Sequence, residues 1–184
     1  MKAPVEVEIK LRMATAARAR ALLRQHGFEI VKPRVFEQNL VLDDEHESLR
    51  VSGRLLRVRG AGKVVTCTFK SPEIPGRHKR RGEREFQASD FDTCVAIFAA
   101  LGFSEKFRYE KYRTESRRGR EPGHVTVDET PIGVFMELEG PAHWIDRTAK
   151  ELGFAARDYV MESYGRLYEA WCAAHGTKPG DMRF

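Results

Sequence analysis

Seven segments of this sequence alternate apolar and polar residues one for one. In residues 5–11, Val5, Val7, Ile9 and Leu11 share one face of an extended chain, and Glu6, Glu8 and Lys10 share the other. From Leu55 on, Arg57 and Arg59 stand opposite Leu56 and Val58. The next segment sets Thr66, Thr68 and Lys70 opposite Val65, Cys67 and Phe69. Lys79, Arg81, Glu83 and Glu85 line up in a fourth segment, Tyr109, Lys111 and Arg113 in a fifth, and Thr126 and Asp128 in a sixth. In the seventh, Phe135, Glu137 and Glu139 alternate with Val134, Met136 and Leu138. A period of two marks a β-strand, because successive side chains project to opposite faces.

Short glycine-bearing turns at residues 60–62 and 130–133 predict antiparallel hairpins. Residues 71–76, with two prolines and a glycine, and the basic stretch 117–123 read as loops. Four helices are marked by caps and stops. Thr15 opens a run that ends at Gly27, and Ser89 or Asp90 opens one that ends at Gly102. A third runs from about Ala142 to Gly153, and the last from about Arg157 to near Gly176. The order strand, helix, Gly27-Phe28, strand is echoed by Glu83–Gln87, helix, Gly102-Phe103, strand. The echo fits either a duplication or two helices that each stop at glycine.

Polar alternation alone is what a sheet with one wet face gives. Here the polar positions are nearly all ionisable, and acids and bases segregate by strand, which a solvated face does not require. If the sheet curls closed, the charged face becomes a lining and the apolar face turns outward for the helices to cover.

At 184 residues the chain suits one domain over 1–184, with 177–184 as a C-terminal extension. A net charge of +5 and pI near 9.2 point to an acidic partner. Cys67, Cys94 and Cys172 show neither metal-ligand spacing nor a disulfide framework, and no apolar run is long enough to span a membrane. A cytoplasmic protein without a membrane partner is expected. The six histidines show no zinc spacing. His78 and His124 lie near the basic loops, and Trp144 and Trp171 read as packing residues.

A lining of both signs has a chemical use. Arg and Lys clamp the anions of a polyphosphate through charge-assisted hydrogen bonds. Carboxylates alone would repel that chain, but carboxylates holding a hard divalent cation attract it, because the cation bridges carboxylate and phosphate oxygens.

Glu6-x-Glu8-x-Lys10 is followed by Leu56-Arg57-x-Arg59, Thr68-x-Lys70, Lys79-x-Arg81-x-Glu83-x-Glu85 and Glu110-Lys111-x-Arg113. Next come Asp128, then Gly133-x-Phe135-x-Glu137-x-Glu139-Gly140, and Ser163-Tyr164. In this order, over essentially the whole chain, the set resembles the CYTH family, the triphosphate tunnel metalloenzymes. The resemblance implies an α+β, mainly antiparallel fold: an eight-stranded closed β-tunnel with a charged interior, flanked by about four helices. It implies a metal set of Glu6, Glu8, Glu137 and Glu139, with Asp128, Glu83 and Glu85 assisting, for Mg²⁺ or Mn²⁺. It implies a triphosphate grip of Lys10, Arg57, Arg59, Lys70, Arg81, Lys111 and Arg113, with Lys10 and Glu8 as catalytic residues. The sequence departs from the family at residues 39–43, Asn-Leu-Val-Leu-Asp, where many members carry a tyrosine, which in some hydrolases pairs with the motif lysine to prepare the attacking water. The general base is then Lys10 alone, its pKa lowered by burial among cations, or a carboxylate, or a metal-bound hydroxide. Tyr109 is a substitute for the missing tyrosine or a packing residue.

The resemblance implies a metal-dependent enzyme acting on a small triphosphate. The first expectation is a hydrolase of inorganic triphosphate, thiamine triphosphate or a nucleoside triphosphate. The alternative is a class IV adenylyl cyclase making cyclic AMP and pyrophosphate, and a more remote one is a non-catalytic polyphosphate- or nucleic-acid-binding module. A homodimer is compatible with the sequence.

Overall fold

Eight strands account for the alternating segments: β1 (Val5–Met13), β2 (Glu29–Asp43), β3 (Leu55–Ala61), β4 (Val64–Ile74), β5 (Lys79–Ala88), β6 (Ser104–Arg117), β7 (His124–Thr130) and β8 (Gly133–Glu139). In the computed structural model, which describes residues 3–184, they form one closed antiparallel barrel in the order β1-β5-β4-β3-β2-β6-β7-β8. Helices α1 (Ala16–Gln25), α2 (Ser48–Val51), α3 (Phe91–Ala100), α4 (Ala142–Glu151) and α5 (Tyr164–Ala174) lie outside the wall or across its end. The fold is α+β, as the resemblance implies.

The alternation sorts the wall. Its outward apolar face forms two cores. In one, Ile9, Leu11, Val125, Val127, Met136 and Leu138 pack under α1 and α4 through Leu23, Trp144 and Ile145. In the other, Leu40, Leu42, Leu56, Val58, Val65 and Cys67 pack under Leu49 of α2 and Cys94, Val95 and Phe98 of α3. Thr15 and Asp90 cap α1 and α3 by accepting from Arg18 N and Thr93 N. Both helices stop at a glycine with positive φ, Gly27 at 77° and Gly102 at 90°, a backbone shape that side chains disfavour.

The internal echo is built into the topology. Exchanging β1-α1-β2-β3-β4 with β5-α3-β6-β7-β8 leaves the cyclic strand order unchanged, so the barrel has a pseudo-twofold arrangement through the β1/β5 and β2/β6 contacts.

Two expected boundaries are corrected. Residues 71–74 are strand, not loop. Pro72 falls in a register shift between Lys70 and Glu73, where its missing N–H costs no ladder bond, and pairing resumes at Glu73–Arg81. The last helix does not begin near Arg157. Ala156–Asp158 form a single 3-10 turn, Val160 pairs with Lys10 of β1, and Ser163 caps α5 by accepting from Arg166 N.

A third core, absent from the sequence reading, fills one end of the barrel. Inward-facing Tyr109 and Phe135 pack there with Tyr164 and Leu167 of α5 and with Met182 of the C-terminal tail. The tail does structural work at this point. Met182 N donates to Arg108 O at 2.9 Å, and Glu110 N donates to Met182 O at 2.9 Å, along the part of β6 that β7 does not reach.

Candidate active site

The rest of the interior is a cavity of about 710 Å³ whose lining comes from all eight strands and from Ser163 and Tyr164. Strand direction gives it two ends. The N-terminal end of β1 and the C-terminal ends of β3, β5, β6 and β8 meet at a mouth, where the side chains of Lys32 and Arg117 are 72% and 47% exposed. The other end runs down to Lys10, Lys111 and Tyr164, which are buried.

The structure brings most of the expected residues together. Glu6, Glu8, Lys10, Arg57, Arg59, Lys70, Arg81, Glu83, Glu85, Lys111, Arg113, Glu137 and Glu139 all line the cavity. Most of them are joined by ion pairs, in one long chain from Lys79 to Arg113 and a shorter group around Lys70. Lys10 Nζ stands 3.4 Å from both Glu8 and Glu137. Lys79 donates to Glu8 at 2.5 Å. Lys70 bonds Glu6 and reaches Glu83 at 3.3 Å. Arg113 bonds both Asp128 and Glu137. Pairing of buried charges is what makes such a lining tolerable.

Two expected residues are placed differently. Asp128 faces the interior but is fully buried beneath its neighbours and is not among the lining residues; it accepts from Lys111 (2.7 Å), Arg113 Nε (2.7 Å) and Tyr164 Oη (2.7 Å). Its oxygens are spent on holding those groups. Arg81 turns its guanidinium to the backbone, donating to Ser71 O (2.8 Å) and Gly53 O (2.7 Å), and so pins the β4 bulge to the turn before β3.

The protonation pattern also differs from expectation at Lys10. Burial alone would lower its pKa, but Glu8 and Glu137 outweigh burial and hold the ammonium well above its ordinary range. Lys79 is the buried lysine held below its ordinary value, by burial and then by Lys10. Burial opposes ionisation of Glu8 and Glu137, yet both lie well below the usual carboxylate range: Lys10 and Lys79 charge the first, and Arg113 and Lys10 the second.

Nearer the mouth, carboxylates outnumber the cations able to neutralise them. Burial together with Glu6 and Glu8 pushes Glu139 up to about 7. Burial together with Glu6 pushes Glu83 up to about 8 against the pull of Lys70. Among the described residues no three carboxylate, histidine or cysteine side chains already converge as a metal cage. The crowding of Glu6, Glu8, Glu83 and Glu139 is nevertheless the chemistry that a hard divalent cation relieves, so this donor set fits one.

Several residues of the site were missed or undervalued in the sequence. Glu37 is buried with Oε2 at 3.6 Å from Lys111 and 3.5 Å from Arg59, cations that outweigh its burial and lower it to about 2. Asn39, in the stretch that lacks a tyrosine, accepts from Arg59 at 3.0 Å and pairs across the ladder with Tyr109. Tyr109 thus stands one strand away from the expected position. Its hydroxyl accepts from Arg57 at 3.3 Å, and Arg57, Lys111 and Arg59 outweigh its burial to hold its pKa below the ordinary value. Lys79 shared a face with Arg81, Glu83 and Glu85 in the sequence, so its signal was available. His78 faces outward to Asp146 of α4 at 2.9 Å, while His124 lines the mouth 3.6 Å from Glu139. Among the described residues the buried Arg57 Nε, Asn39 Nδ2 and the hydroxyls of Thr114, Thr126 and Thr148 lack a hydrogen-bond partner, and Arg57 and Thr126 line the cavity. Such orphans are expensive unless an anion or water meets them.

The closed barrel thus carries deep cations and, toward one mouth, crowded carboxylates. A model of the CYTH domain family matches residues 4–160, and the chain belongs to that family. Family members act on triphosphates, as adenylyl cyclases or triphosphatases, and are metal-dependent. The chain is 28% identical over 136 residues to a candidate adenylate cyclase from Methanocaldococcus jannaschii, covering 73% of this chain and 76% of that one. Among solved structures, a candidate adenylate cyclase from Vibrio parahaemolyticus superposes with a TM-score of 0.78 at 18% identity, over 90% of this chain and 98% of the other. A Hippeastrum protein, described as a candidate adenylyl cyclase with a dominant triphosphatase activity, superposes with a TM-score of 0.62 at 15% identity, over 97% and 98%. Among the described residues no helix is long and apolar enough to cross a membrane.

Proposed function

We propose that this chain is a metal-dependent triphosphatase that hydrolyses a phosphoanhydride bond of a triphosphate held in the barrel. The observation that carries this reading is the two-signed cavity. Arg57 with its orphan donor, Arg59, Lys70, Lys111 and Arg113 grip phosphate oxygens, and Lys10, held protonated, joins them as a clamp. Glu6, Glu8, Glu137 and Glu139 hold Mg²⁺ or Mn²⁺, with Glu83 and Glu85 assisting; the cation supplies charge withdrawal from the phosphoryl group. Asp128 is assigned a positioning role, fixing Lys111, Arg113 and Tyr164. With a cation held by those carboxylates, the lysines that now neutralise them would be free to turn to phosphate, and the buried charge would stay balanced. In this reading Lys10 clamps the phosphoryl group and Glu8 orients the attacking water.

Adenylyl cyclisation is the second reading. One wall of the mouth is apolar, with Pro33, Val35, Ala61 and Val64, and Gln87 lies on the same rim, a surface suited to a nucleobase. The Hippeastrum neighbour's triphosphatase activity supports the first reading, and the M. jannaschii relative's name the second. A product assay separates them, using inorganic triphosphate, thiamine triphosphate and ATP with Mg²⁺ or Mn²⁺. Orthophosphate is the expected product. Pyrophosphate with cyclic AMP from ATP would replace the first reading by the second, and no turnover of any substrate would overturn both.

A further inference from the structure

Among the described residues His124 is the only histidine that lines the cavity, and it stands at the mouth with its side chain 18% exposed. The ladder sets it opposite Glu139 of β8, and sets Glu139 in turn opposite Glu8 of β1. Directly opposed side chains on one face of a sheet have Cβ atoms about 4.5–5.5 Å apart. All three residues line the cavity, so a row of donors, one imidazole and two carboxylates, crosses three neighbouring strands at one height. His124 Nε2 is 3.6 Å from Glu139 Oε2, too long for a hydrogen bond, so the ring is not spent on its neighbour. Two donors that share a cation at about 2.0–2.2 Å lie roughly 3.0–3.6 Å from each other. His124 and Glu139 already stand at the upper end of that span. Glu8 is drawn instead to Lys79 at 2.5 Å and to Lys10 at 3.4 Å, which keeps the three from converging as they stand.

The kind of donor decides which cation gains. Mg²⁺ takes hard oxygen ligands and keeps much of its water, so a nitrogen adds little to its hold. Imidazole suits first-row transition metals better than it suits Mg²⁺, whereas carboxylates serve both. The other residues assigned to the cation are all carboxylates, so His124 is where a preference among divalent ions can enter. We propose that His124 binds the cation beside Glu139 and Glu8 as a nitrogen ligand, and so makes the site favour Mn²⁺ or a later first-row metal over Mg²⁺. This rests on the carboxylate metal set given above.

The test uses the full chain without substrate. Mn²⁺ and Mg²⁺ are titrated calorimetrically into the unaltered chain and into His124→Gln, which removes the ring nitrogen and whose folding is checked by circular dichroism. The unaltered chain is expected to prefer Mn²⁺. The variant is expected to lose about tenfold of that preference, with its Mg²⁺ affinity changed by less than about threefold. Electron spin echo spectroscopy of the Mn²⁺-loaded chain is expected to show coupling to a directly bound imidazole nitrogen, absent from the variant. Mn²⁺ that binds with no such coupling, or with coupling that survives in the variant, overturns the proposal and leaves the carboxylate metal set standing. An equal loss of Mn²⁺ and Mg²⁺ affinity in the variant overturns the selectivity. Failure of both cations to bind the unaltered chain overturns the metal set as well. The spin echo measurement on the unaltered chain stands without the variant.

Discussion

Replacing Asp128 with asparagine separates two roles for that carboxylate. As a positioning group it holds two cations and a phenol; as a metal ligand it would hold none of them. The side chain is fully buried, and its oxygens accept from Lys111, twice from Arg113 and once from Tyr164. Asparagine keeps the shape, removes the charge and turns an amide N–H₂ toward donors. Breaking a buried ion pair costs about 3–5 kcal/mol. Lys111 keeps Glu37 at 3.6 Å and Arg113 keeps Glu137, so each cation retains one carboxylate. The loss then falls at the lower end, about 3 kcal/mol, or roughly 6–12 °C in Tm for a domain of this size. Thermal unfolding by circular dichroism at neutral pH measures it. Burial disfavours the Asp128 carboxylate, but Arg113 and Lys111 hold its pKa well below the ordinary value. A depressed folded pKa gives stability that is present above the unfolded value and is lost as pH falls through the folded one. The gap between the two proteins is therefore expected to close as pH drops below about 4. The Mg²⁺ concentration for half-maximal turnover should be little changed. A variant that unfolds like the unaltered protein but needs far more Mg²⁺ would refute this reasoning and return Asp128 to the metal set.

Glu6→Gln is expected to lower turnover by at least about 100-fold while the far-ultraviolet circular dichroism is unchanged, since the carboxylate lines the cavity and its loss weakens the hold on the cation; undiminished turnover would take Glu6 out of the metal set. Mg²⁺ affinity, measured by calorimetry without substrate, should rise as pH goes from 6 to 8, because Glu139 at about 7 and Glu83 at about 8 must release protons to bind it, and a flat profile would count against their assistance. In the metal-free protein those same raised values mean that the folded state binds the extra protons, so their contribution to stability falls as pH rises through 7 and 8, and added Mg²⁺ should restore more Tm at pH 8 than at pH 6. Gly123→Ala should destabilise the fold by about 1–3 kcal/mol in chemical denaturation, because a Cβ there would lie 2.3 Å from the buried Trp144 ring and 2.7 Å from Glu139 O; an unchanged midpoint would show that the ring can yield.

Local pattern determined a good deal of this molecule. The two-residue period decided which side chains face the interior, because that period is a property of the extended chain itself and survives whatever the strands pair with. It placed Glu6, Glu8 and Lys10 on one face, Glu137 and Glu139 on another, and the apolar partners of both outward under helices whose caps were also legible. β2 was less readable. Its first half, residues 29–36, is largely exposed and lacks the alternation, so Glu37 passed unnoticed although it alternates with Leu40 and Leu42 at the distance of one face change.

Partner choice was decided by the tertiary structure alone. Whether a lysine beside carboxylates is charged depends on which groups closure brings within a few ångströms: Lys10 landed between Glu8 and Glu137, so its pKa rises where an isolated buried lysine's would fall. Asp128 shared an inward register with the cavity residues, yet the docking of α5 and the tail buried it behind Lys111 and Tyr164. The blind end of the barrel has the same origin. Tyr164 and Met182 are ordinary residues in sequence, and they become a floor only because β5 and β7 stop short of the full height of their neighbours, leaving edges whose backbone groups the C-terminal segment must satisfy.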